Sequence, residues 1–192
     1  MTTTEIWIGF NNKDREQAEA LADARLGDSA RRLSPDRLTA RNRAAQLRCA
    51  YGEIGAAKWL RDQGFQVETG FVDDHVHKCD LSVAGVGCEV MTAQIAHRQI
   101  TGFCVPPNKL GAARHRGAWG YIFVGTGSET PPLRVCIQGA VVLGKVNADP
   151  PRLTRVSAHS VPVLNHVIRP TDLLSPLDAS AALVTLQAGG RK

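Results

Sequence analysis

The stretch Cys79-Asp80-Leu81-Ser82-Val83-Ala84-Gly85-Val86-Gly87-Cys88-Glu89-Val90-Met91 decides how this chain is read. Leu81, Val83, Val86 and Val90 give it β character, and Ala84-Gly85 is the natural turn between two short strands. A two-residue loop there pairs Val83 with Val86, Ser82 with Gly87, Leu81 with Cys88 and Asp80 with Glu89. Directly opposed residues have Cβ atoms about 4.5–5.5 Å apart. Two carboxylates that close repel unless a cation lies between them, and all-oxygen ligation suits a hard divalent ion such as Mg2+ or Mn2+. Primed turns favour Gly, Asn or Asp at the position held by Ala84. A four-residue loop, Val83 to Val86, keeps the same pairing. A three-residue loop at 85–87 sends the two acids to opposite faces.

Working outward, residues 5–10 form an expected strand and Asp14 to Leu26 a helix ended by Gly27-Asp28. Ser34-Pro35-Asp36 is a helix start by capping, proline placement and dipole. That helix runs to about Arg61 and stops at Gly64. Gly52 and Gly55 inside it imply close packing on a flat partner, since each costs about 1 kcal/mol against Ala. Strands are expected at 65–69, at 102–105, at 120–124 by its continuous apolar run, at 133–146 and at 166–169. A basic helix is expected from Pro106 to Arg116, loop at 147–155, and a terminal segment from Pro170. The fold expected is α/β, a single domain with a mixed β-sheet flanked by helices. It divides into an N-terminal helical part (1–48), a core (roughly 45–170) and a flexible C-terminal tail (171–192).

The chain has 192 residues and a net charge of +5, a balance that suits a polyanionic partner. Arg31, Arg32, Arg37, Arg41, Arg43 and Arg48 form one basic group; Arg98, Lys109, Arg114, His115 and Arg116 form a second. The five cysteines are odd in number and no C-x-x-C occurs. That argues against a zinc ribbon or disulfide framework and for reduced thiols in the cytoplasm. No signal peptide or membrane-spanning run is visible. His75, His77, Cys79 and Cys88 could make a zinc site, but a polar loop leading into a strand is the preferred reading. Gly125-Thr126-Gly127-Ser128 is no phosphate loop, because neither a Lys-Ser/Thr pair nor a helix start follows it.

Three segments together resemble the PD-(D/E)XK nuclease superfamily, the restriction-endonuclease-like fold. Tyr51-Gly52-Glu53-Ile54-Gly55-Ala56-Ala57-Lys58-Trp59-Leu60 is similar to its leading helix. Lys78-Cys79-Asp80-Leu81-Ser82-Val83 is similar to the strand bearing its metal-binding Asp. Cys88-Glu89-Val90-Met91-Thr92 is similar to its E-x-K strand. The resemblance covers residues 45 to 124. It implies a restriction-endonuclease-like core in which Glu53, Asp80 and Glu89, with the carbonyl of Val90, hold Mg2+ or Mn2+ for hydrolysis of DNA phosphodiester bonds. Arg41, Arg43, Arg48, Arg98 and Arg114 are the candidates for holding the nucleic-acid backbone. DNA is the expected partner, RNA the alternative, no membrane is involved, and a homodimer is open.

The chain departs from the family at Met91, where the family has Lys: a thioether carries neither charge nor proton. Three explanations stand. Met91 replaces a catalytic Lys, as in a nuclease inactivated to trap substrate; Lys58 or Lys78 has taken over; or the protein is a natural nucleic-acid binder without cleavage. The first is preferred, because Lys and Met are similar in length and the flanking motif is otherwise whole. A soluble interaction domain whose acids are incidental is the reading from another class.

Overall fold

A computed structural model describes residues 6–32, 40–70, 78–94, 103–129, 131–146, 150–154 and 163–189. The chain builds β1 (Ile6–Gly9), α1 (Asn12–Arg32), α2 (Ala40–Asp62), β2 (Val67–Thr69), β3 (Leu81–Val83) and β4 (Val86–Gln94). It continues with β5 (Phe103–Val105), α3 (Pro107–His115), β6 (Gly120–Thr126), β7 (Arg134–Val142), α4 (Leu143–Val146), β8 (Arg152–Thr154), β9 (Val163–Ile168) and α5 (Pro176–Gly189). This is a single mixed α/β domain. A six-stranded sheet runs β1-β7-β6-β4-β3-β2, and β5-β9-β8 form a second, three-stranded sheet. Only β4 and β6 pair in parallel within the larger sheet. Parallel neighbours require a crossover, and it runs through β5 and α3.

Side chains alternate between the two faces of the sheet, and each face has its own core. Cys88 of β4, Ile122 and Val124 of β6 and Val135 and Ile137 of β7 face helices α1, α2 and α5. Tyr121 and Phe123 of β6 face the other way, onto Phe103, Val105, Leu110, Ala113 and Ile168. Helix α2 lies flat on the first face because glycine lets it. A Cβ at Gly52 would overlap Thr92 Oγ1, and one at Gly55 would overlap Val135 Cγ2.

Several boundaries differ from expectation. Helix α1 begins at Asn12, where Asn11 Oδ1 accepts from the Asp14 amide and Asp14 Oδ2 accepts from the Asn11 amide, both at 2.9 Å. It runs through Gly27 instead of stopping there. The cap at Ser34-Pro35-Asp36 lies outside the described residues. The expected strand 133–146 ends at Val142 and gives way to the short α4. A short strand, β8, stands in the expected loop 147–155. The C-terminal segment is not a tail: it forms α5, with Ala179 and Leu183 buried in the helix-side core. Ser175 caps this helix, its Oγ accepting from the Asp178 amide at 3.2 Å. Among the described residues, no helix is long and apolar enough to cross a membrane.

Candidate active site

The hairpin β3–β4 sets the register of its acids. Val83 pairs with Val86, Ser82 with Gly87 and Leu81 with Cys88. Ala84 (φ 50°) and Gly85 (φ 87°) both occupy the left-handed region, the signature of a type I′ turn. Ala84 therefore carries a conformation that L residues adopt at a cost. Extending the register one step brings Asp80 opposite Glu89. Strand β3 has ended at this point, and the Asp80 side chain continues the ladder: its Oδ2 accepts the Val90 amide hydrogen at 2.8 Å.

Glu53 lies on α2 and is only 4% exposed; Glu89 lies on β4 and is 5% exposed. Each is met by an arginine. Arg25 of α1 grips Glu53 with both terminal nitrogens, at 2.6 and 2.7 Å. Arg116, the residue that closes α3, reaches Glu89 Oε1 with Nε at 2.8 Å and Nη2 at 2.7 Å. Charge-assisted contacts of this kind compensate burial of an ionised group.

The acids sense one another. Burial pushes Glu53 up to about 8, and the next largest contribution is the Asp80 charge, with Glu89 adding less; Arg25 opposes all three. Burial raises Glu89 to about 7, followed by the charge of Asp80, which also raises it through a hydrogen bond; Arg116 pulls the other way. The Asp80 charge thus acts on both glutamates. Among the described residues, no three of His, Cys, Asp or Glu lie in an arrangement that holds a metal ion. The donor chemistry of Glu53, Asp80 and Glu89 suits a hard cation, but as the side chains stand each glutamate faces a guanidinium.

Tyr121 completes the surroundings. It is the register partner of Glu89 on β6, so both project from the same face. Its hydroxyl is buried without a hydrogen-bond partner. Burial and then the Glu89 charge raise its pKa, with Arg116, Asp80 and Cys79 also acting on it. Met91, two residues past Glu89 on this face, is half-buried against the core that contains Tyr121 and Phe123.

The other residues singled out in the sequence fall elsewhere. The Lys58 ammonium binds Asp14 at 2.8 Å and the Gly9 carbonyl at 3.0 Å, contacts at the junction of β1 and α1. Lys78 is exposed. Arg43 pairs with Asp23 across α1 and α2 on the surface. Arg48 is half-buried on α2, and Arg114 is exposed on the last turn of α3. Arg98, His75, His77 and the side chain of Arg41 lie outside the described residues. Cys79 and Cys88 fall into the cores on opposite faces of the sheet, and all described cysteines are free thiols.

Sequence reasoning passed over Arg25, Arg116 and Tyr121. A signal existed for Arg25, which follows Leu21 and Ala22 at helical spacing and so shares their inward face. Arg116 was visible only as one cation of a basic group. No family model matches the chain, and no curated protein is significantly similar to it.

Proposed function

We propose that this protein is a metal-dependent nuclease of the restriction-endonuclease-like type, acting on DNA phosphodiester bonds. The observation that carries the reading is the electrical coupling of Glu53, Asp80 and Glu89. Glu53 comes from α2, Glu89 from β4 and Asp80 from the residue just before β3, and both glutamates are raised by burial and by the Asp80 charge. Carboxylates raised by burial, and further by a neighbouring acid, mark places where a protein holds charge for chemistry. Mg2+ or Mn2+ bound here would neutralise phosphate charge and lower the pKa of water. Within the chain, the Val90 amide holds Asp80 in place. Arg114, exposed on α3, is available to a phosphate backbone.

Met91 favours a second reading, a nucleic-acid binder on the same fold that keeps the cation and lacks cleavage. Nicking of supercoiled plasmid in Mg2+ or Mn2+ by the native chain and by M91K, with D80N as the control, tests the two. Metal-dependent nicking that D80N abolishes supports the nuclease. Absence of nicking from both proteins, with DNA still bound in a salt-dependent way, selects the binder.

A further inference from the structure

We propose that the outer side of α3, set in a basic layer over the second face of the sheet, is a docking surface for the sugar-phosphate backbone of DNA. The inference takes its partner from the reading above but needs neither a metal ion nor cleavage.

The charge of the chain is unevenly placed. The first 89 residues hold 12 Lys and Arg against 14 Asp and Glu, so the arginine run from Arg31 to Arg48 is offset by acids of the same half. Residues 90–171 hold nine Lys and Arg against two acids. They supply α3, α4 and the β5-β9-β8 sheet. The apolar side of these elements, with Phe103, Leu110, Ala113, Val146 and Ile168, packs onto Tyr121 and Phe123. Their outward side is basic: Lys109 and Arg114 of α3, Lys145 of α4 and Arg152 of β8 are all exposed. Among the described residues, none of these four is engaged in an ion pair. Lys145 donates to the Asp172 carbonyl, while the Asp172 carboxylate is held by Arg169 at 3.0 Å.

Two features of α3 gain nothing for the stability of the helix. Lys109 lies in the first turn, where the positive end of the dipole disfavours a cation and where no acid balances it. Gly111 lies in mid-helix on the exposed side, and nothing among the described residues comes within 4 Å of where its Cβ would be. Glycine there weakens the helix against alanine without a packing gain. A polyanion lying along α3 accounts for both. Lys109 and the helix dipole then act together on the same negative charge, and the missing side chain lets a sugar-phosphate chain come close to the backbone. Lys109 and Arg114 are five positions apart, about 7.5 Å along the axis, which is within one screening length at physiological salt. The exposed residues of α3 include no aromatic or large apolar side chain, whereas the centres of protein interfaces are built on such groups. A nucleic-acid backbone therefore fits this face better than an acidic protein does.

Binding of a short fluorescent DNA duplex in EDTA, followed by anisotropy at several KCl concentrations, tests the surface apart from any metal. K109Q/R114Q should weaken binding about tenfold or more at 0.1 M salt and lower the slope of log K against log salt by about two. K13Q/R15Q, which removes the same charge from α1, should bind as the native protein does. G111L removes no charge; it should keep or raise the Tm yet weaken binding several-fold. Native-like binding by K109Q/R114Q overturns the inference. Equal losses in K109Q/R114Q and K13Q/R15Q also overturn it, since net charge alone would then set the affinity. Tighter binding of polyglutamate than of DNA of the same charge overturns it in favour of an acidic protein. Binding in the expected order with no cleavage in Mg2+ or Mn2+ upholds the inference and removes the nuclease reading. Metal-dependent cleavage together with native affinity in K109Q/R114Q overturns the inference and leaves the nuclease reading standing.

Discussion

Arg25 and Glu53 face each other from neighbouring helices, with both guanidinium tips on both carboxylate oxygens at 2.6 and 2.7 Å. The pair is the main compensation for placing an acid on the sheet-facing side of α2. Truncating the arginine strands a carboxylate that is 4% exposed. R25A is expected to cost about 2–4 kcal/mol at pH 8 and less at pH 5.5, where Glu53 protonates. Urea unfolding at the two pH values measures both numbers.

Stability should fall with rising pH. Glu53 and Glu89 are raised to about 8 and about 7 from the ordinary 4.5. Between about pH 4.5 and 8 the folded protein therefore holds protons that the unfolded chain releases. Stability from these groups is complete below the lower value and is lost as pH rises through the upper ones, at up to about 1.4 kcal/mol per pH unit for each proton. If Mg2+ binds these acids as proposed, it needs them ionised, and its stabilising effect should be larger at pH 8.5 than at pH 5.5. Thermal unfolding across this range, with and without Mg2+, reads both trends, and E53Q should flatten the first.

Helix α2 owes its close approach to β4 to a missing side chain. G52A gains about 1 kcal/mol of helix propensity but drives a methyl into Thr92 Oγ1. Overpacking of this kind costs about 1–3 kcal/mol, so the variant should be less stable than the native protein. Removing the Thr92 hydroxyl, already without a partner, in a G52A/T92A double variant should recover most of the loss. A double-mutant cycle by chemical unfolding measures the coupling.

The turn at Ala84-Gly85 should be improvable. Ala84 sits at φ 50°, a region that Asn tolerates better than Ala. A84N is expected to stabilise the protein by about 1 kcal/mol without altering the spacing of Asp80 and Glu89. A shift in urea midpoint at constant m would report it.

The hairpin was legible because its alternation has period two, and two of the three loops open to it, the two- and four-residue ones, gave the observed pairing of Val83 with Val86. The glycines of α2 were legible for a similar reason: two costly residues inside a helix imply contact with something flat. Helix α5 was not read, although Ser175-Pro176-Leu177-Asp178 carries the same start signal as Ser34-Pro35-Asp36. Its apolar residues lie on all sides, from buried Leu183 to exposed Leu177 and Val184, so no single stripe marked it. Gly27 misled in the other direction. Nothing lies near the position of its absent Cβ, and α1 continues through it because glycine weakens a helix without breaking it. The acids of the site could be picked out singly, but their arginine partners could not. Arg25 and Glu53 are 28 positions apart, and Arg116 and Glu89 are 27 apart, and no local pattern records contacts at that range.

Titration of the purified protein with Mn2+ at pH 8, followed calorimetrically for the native chain and for E53Q, D80N and E89Q, addresses the three acids directly. Saturable binding of one or two ions, weakened at least about tenfold by each substitution, is the predicted result. Binding that ignores all three substitutions, or no binding at all, would contradict a shared cation at Glu53, Asp80 and Glu89.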